Sequence, residues 1–228
     1  MLGAIAIIPS APVLVPELAG AAAAEVADLR EAVIAATASL PPRWIAIGVH
    51  PTDRVIGPDA VGTFAGFGAD VRVRLSPSAT GSPTQLPLCA LISAWVRNHA
   101  RPDARVEVRA YSSAQEADAG VVVGRRLRAE IDHVAEPVGV VIVADGANTL
   151  TPGAPGGYRP GDVDVQRALD DALAGGDLAA LTVLPKQVVG RGAFQVLAGL
   201  AQPAPRSAKE LYRGAPFGVG YFAGVWQL

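Results

Sequence analysis

The stretch "PVGVVIVADG", Pro137 to Gly146, decides the fold. From Val138 to Ala144 no residue is polar and nothing alternates. A strand with one wet face alternates apolar and polar residues. A short run without alternation, closed by an Asp-Gly turn, reads as a strand buried on both faces. Two other runs share this character: "LGAIAII", Leu2 to Ile8, closed by Pro9, and "RWIAIGV", Arg43 to Val49. Strands of this kind need helices on each side of their sheet.

Helical periods lie between them. Val26, Leu29, Val33, Ala36 and Leu40 fall at helical spacing, and Leu88, Leu91, Ile92 and Trp95 share one helical face. A capping box, Ser113-x-x-Glu116, opens the helix that follows. "GDVDVQRALDDALAGG" is a helix stopped by Gly175 and Gly176, Asp177 can cap the next short helix, and "AFQVLAGLA" reads as another. "ADVRVRL" and "ARVEVRAY" alternate, which predicts half-exposed strands, and "FGVGYFAGVW" closes the chain as a Gly-rich strand. The expectation is α/β: a single three-layer domain over 1–228, with a mostly parallel or mixed central sheet and helices on both faces. Gly3–Ile8, Trp44–Val49 and Val138–Ala144 are expected at its centre.

Composition narrows the function classes. The chain has 228 residues, half of them apolar, enough for a large core. The 19 basic residues are scattered and the net charge is −2, so no nucleic-acid surface is expected. The N-terminal apolar run lacks a positive n-region, since the first basic residue is Arg30, and prolines interrupt it. No stretch reaches the roughly 18 apolar residues of a membrane helix. Cys89 is the lone cysteine, which fits a reducing compartment. A cytoplasmic protein that makes no membrane contact is expected; a small-molecule ligand and a homo-oligomer are both compatible with the chain.

In α/β sheets, sites gather where strands end, which singles out three loops. The loop after Ile8 offers Ser10 and Glu17; the loop after Val49 offers His50, Thr52, Asp53 and Arg54; the loop after Ala144 offers Asp145, Asn148 and Thr149. A His with carboxylates could hold a metal or move a proton. Each residue also has a plain reading. Asp-Gly is a turn, a His before Pro caps or sits on the surface, and a serine between prolines bonds its own turn. His99 and His133 lie among charged neighbours at helix ends or in loops. There is no G-x-G-x-x-G, no G-x-S-x-G elbow and no P-loop.

Four stretches in order, "IIPSAPVLVPEL", "WIAIGVHPTD", "VIVADGANTLTPGAPGGY" and "ELYRGAPFGVGYF", resemble the catalytic-chain family of class III extradiol ring-cleavage dioxygenases, and more specifically its small, Ala-rich actinobacterial branch. The resemblance implies a non-haem ferrous iron held by two histidines and a late glutamate, with a further histidine as acid–base catalyst of catechol cleavage. Position by position, Ser10 stands where the first histidine would be, and His50 matches the second. Glu210 is the nearest candidate for the late carboxylate, and the acid–base histidine would fall near Asn148 and Thr149, close to Asp145. Ser10, Glu17 and Asp53 are the expected substrate-binding positions, and Ser10, Glu17, His50, Asp145 and Asn148 are expected to line one shared pocket. A serine hydroxyl is a poor neutral ligand, so a weak Fe(II) site or none is expected. The reading carried forward is a non-catalytic descendant that binds a small molecule or a partner. The alternatives are an iron-dependent ring-cleavage enzyme and altered chemistry with His50 as general base and Ser10 as nucleophile or binding hydroxyl.

Overall fold

The computed structural model describes residues 1–113 and 117–228. Seven strands form the main sheet. They are β1 (Leu2–Ile8), β2 (Arg43–His50), β3 (Arg54–Ile56), β6 (Arg105–Ser112), β7 (Val138–Val143), β8 (Ser207–Gly214) and β9 (Tyr221–Gln227). Their order across the sheet is β3-β6-β2-β7-β1-β9-β8. The four inner strands β6, β2, β7 and β1 run parallel, while β9 lies antiparallel to β1 and β3 antiparallel to β6. The three unalternating runs are therefore neighbours at the centre, as their composition predicts. β4 (Val61–Thr63) and β5 (Arg72–Arg74) form a separate two-stranded ribbon.

Each strand serves two cores because successive side chains point to opposite faces. On one face Ala6, Ile8, Ala46, Val141 and Val143 pack against Leu29, Val33 and Ala36 of α2 (Ala27–Ala38) and Ile92 and Trp95 of α3 (Leu88–Ala100). On the other, Ile5, Ile7, Ile47, Val140 and Ile142 pack against three helices. These are α4 (Ala117–Asp132) through Leu127 and Ile131, α5 (Asp162–Gly175) through Leu169 and Leu173, and α7 (Arg191–Leu200) through Phe194 and Leu197. Fully burying each such side chain contributes about 1.5–3 kcal/mol. α4 and α7 approach closely enough that a Cβ on Gly124 would collide with the Val196 carbonyl, and one on Gly199 with that of Val121.

Several local readings change. The helix expected from Ala21 to Leu40 starts only at Ala27, after a 3-10 turn over Gly20–Ala23. "ADVRVRL" supplies only the three residues of β5, paired with β4 and outside the main sheet. Of the expected capping box at Ser113 and Glu116, Glu116 lies outside the described residues. Asp177 does cap α6 (Leu178–Thr182), its Oδ1 accepting from the Ala180 N–H at 3.1 Å.

Candidate functional site

The chain changes winding direction between β2 and β7. From β2 it continues outward to β6 over the α3 face; from β7 it leaves by α5–α7 over the opposite face towards β8 and β9. The carboxyl ends of two such strands are where open α/β sheets generally hold a ligand crevice. Register sets what stands there. Ile47 pairs with Ile142 and Ile8 with Val143, so His50, Asp145 and Ser10 follow their strands at one level. With strands about 4.8 Å apart, Ser10 and His50 flank Asp145 one strand step away on either side.

Asp145 is the best-defined group of the crevice. Its Oδ1 accepts the backbone N–H of Ser10 at 2.8 Å. Burial raises its carboxyl to about 7, and the Ser10 N–H only partly offsets this. The wall behind it is tight. The Gly190 N–H donates to Asp145 O at 2.8 Å, and a Cβ on Gly190 would stand 2.8 Å from that same oxygen. Tyr221, buried on β9, has its phenol pushed upward first by burial and then by the charge of Asp145.

The loop beyond Asp145 is held by partners from late in the chain. Gly146 N–H donates to Gly220 O at 2.8 Å, Gly220 N–H to Ala147 O at 2.8 Å, and Leu150 N–H to Gly218 O at 3.0 Å. From α5, Gln166 Oε1 accepts from Ala147 N–H at 2.8 Å while its Nε2 donates to Asp170 Oδ1 at 2.8 Å. Burial raises the Asp170 carboxyl to about 6. Thr149 donates to Asp162 Oδ2 at 2.6 Å, so it serves as a buried latch.

The other expected site residues divide. Asn148 sits in this loop, its carbonyl accepting from Gly156 N–H at 2.9 Å. Asp53 is exposed, and its Oδ1 accepts from Ser112 N–H at 2.6 Å, beside His50 at the end of β6. His50 Nδ1 contacts Thr52 O at 3.0 Å. The polar contact in this crevice is therefore Asp145 to the backbone of Ser10, with no Ser10–His50 hydrogen bond among the described residues. Glu17 lines a different cavity, together with Arg72, Trp95 and Arg97. Glu210, on β8, is separated from His50 by β7, β1 and β9, and it accepts from Arg213 Nε at 2.8 Å.

The donor set implied by the resemblance does not fit a facial iron triad. Ser10 supplies no imidazole, His50 stands apart from Glu210, and Glu210 is committed to Arg213. Among the described residues no group of three His, Cys, Asp or Glu side chains is close enough to hold a metal ion. Also among the described residues, no helix is long and apolar enough to cross a membrane.

Tyr221 and Gln166 are the contributors that sequence reasoning missed. Gln166 had a signal: with Leu169 and Leu173 it falls on the buried stripe of its helix, where an amide needs a partner. Tyr221 had none beyond its place in an apolar strand.

No family model and no curated protein matches the chain. Its fold is similar to that in the crystal structure of the uncharacterized protein JW3007 from Escherichia coli K12. The two share 11% identity with a TM-score of 0.61, over 98% of this chain and 99% of that one. At this identity the likeness is one of fold.

Proposed function

We propose that this protein is an extradiol dioxygenase-like, non-catalytic binder of a small molecule, with the crevice at Ser10, His50 and Asp145 as its site and the ancestral iron site lost. The observation that carries this reading is Asp145, a desolvated carboxyl held by the Ser10 N–H at the winding switch of the sheet. A carboxyl near neutrality can give a hydrogen bond when protonated and accept one when ionised. That suits a hydroxyl-bearing ligand, of which catechol is the simplest probe in keeping with the resemblance. The serine at position 10 and the engagement of Glu210 by Arg213 speak for loss of iron binding.

Two titrations of the purified protein test this. Catechol should bind without added metal, and Asp145→Asn should weaken it by about tenfold through loss of one charge-assisted contact. Ferrous iron, titrated anaerobically, should bind wild type weakly, and Ser10→His should tighten it by adding an imidazole near His50. Tight one-to-one iron binding or catechol cleavage by wild type would overturn the proposal.

A further inference from the structure

Away from the crevice, a cavity of 570 Å³ is lined by Glu17, Arg72, Arg74, Trp95, Arg97 and His99. It lies between α1 (Pro16–Ala19), β5 and the last turns of α3. Three arginines and one glutamate are among its lining residues, a local excess of two positive charges in a chain whose net charge is −2.

Arg97 is the unusual member, only 3% exposed. Its Nε donates to Arg74 O at 3.0 Å and its Nη1 to Pro102 O, so it meets backbone carbonyls only. Among the described residues no carboxylate pairs with it. Asp103 is the nearest acid acting on it, and that residue is drawn to Arg101 at 3.4 Å. Burial and the charge of Arg74 both press the Arg97 pKa downward, the direction expected of a cation lacking its counter-ion. A guanidinium cannot shed its proton near neutrality, so only an anion can relieve it. Arg72 touches Asp70 only at 4.0 Å, and Arg74 makes no ion pair among the described residues. Beside them His99 lies over Trp95, ring centroids 4.0 Å apart, with Nδ1 against Trp95 O at 2.8 Å.

We infer that this cavity binds a small molecule carrying a phosphate group. A phosphate dianion matches the two excess charges, and its three terminal oxygens suit the forked donors of several arginines. The volume leaves room for a compact organic body beside the phosphate.

The test is calorimetric titration of the full chain with phenyl phosphate and with inorganic phosphate, at constant ionic strength, against benzoate and sulfate. Phenyl phosphate should bind saturably with a dissociation constant below about 1 mM. The double variant Arg72→Gln, Arg74→Gln should weaken it by about tenfold or more. Both side chains are exposed, so this variant should fold. Arg206→Gln, an exposed arginine outside the cavity, should leave it unchanged. In wild type the Arg97 Nε–H NMR resonance should move on addition, while the Ser10 amide stays still. Inorganic phosphate binding as tightly as the ester would keep the site and assign it to the free ion. Absence of saturable binding, equal binding of benzoate or sulfate, or equal weakening by Arg206→Gln would overturn the proposal.

Discussion

Half-buried Asp145 and buried Arg97 are two ionisable groups that no oppositely charged side chain pairs among the described residues, and the protein deals with them in opposite ways. Asp145 accepts one backbone N–H and drifts to about 7, where it can lose its charge. Arg97 keeps its charge and gives two of its N–H donors to backbone carbonyls, with no carboxylate paired to it among the described residues. The difference is chemical. A carboxylic acid escapes desolvation by taking a proton within the physiological range, whereas a guanidinium would have to lose one far above it. The Asp145 carboxyl is therefore expected to respond to pH near neutrality, and the arginine cavity to stay charged.

Removing the guanidinium should have the largest effect. Arg97→Met leaves the carbonyls of Arg74 and Pro102 without their donors, at a cost of about 3 kcal/mol in denaturant unfolding. A loss under about 1 kcal/mol would mean that Arg97 is not structurally committed.

The carboxyl should behave in the reverse sense. Because the folded pKa of Asp145 lies above the ordinary value of 3.8, the folded state holds the proton more tightly than the unfolded one. Its contribution to stability is therefore greatest at acid pH and declines as pH rises from about 4 to 7. Asp170 adds a decline of the same sign that ends near 6. Asp145→Asn should stabilise the protein at pH 8 by about 1–3 kcal/mol and leave only the Asp170 part of the slope. A mutant less stable than wild type at pH 8 would show that the ionised carboxylate makes a contact worth more than its burial costs.

Gln195 supplies an uncharged comparison. It is 1% exposed on α7, and among the described residues neither its Nε2 nor its Oε1 has a hydrogen-bond partner. Gln195→Leu should be neutral or stabilising by about 1 kcal/mol in thermal unfolding; a clear loss would reveal a partner for that amide, such as a bound water. The smallest change is expected from Glu210→Gln. Its ion pair with Arg213 is about one-third exposed on both sides, and such pairs contribute about 0.5 kcal/mol. A large fall in iron affinity in this variant would restore Glu210 as a ligand.

The centre of the fold was legible because β1, β7 and the Trp44–Val49 run of β2 lack polar residues on either face, and only a doubly covered sheet hides such runs. The edges were not. β3 has three residues, and β8, "SAKELYRG", is polar and half-exposed, so neither carries a clear period. The crevice was legible as a set of strand ends, which brought Ser10, His50 and Asp145 into view. What makes Asp145 unusual was hidden, because Gly190 and Tyr221 come from dozens of residues later. Arg97 was hidden more deeply: in "AWVRNHA" it reads as a solvated helix-end residue, and only Arg74 and Pro102, folding back on it, reveal its burial. Glu17 likewise reads as part of the first-strand loop, yet it belongs to the arginine cavity.

The carboxyl at the winding switch is the central claim, and carbon-13 NMR titration of the side-chain carboxyls tests it most directly. The resonance that disappears in Asp145→Asn should titrate near pH 7, above the one assigned to Asp170 near 6. A midpoint for Asp145 in the ordinary carboxylate range, about 4, would show a hydrated acid and contradict the account of the crevice.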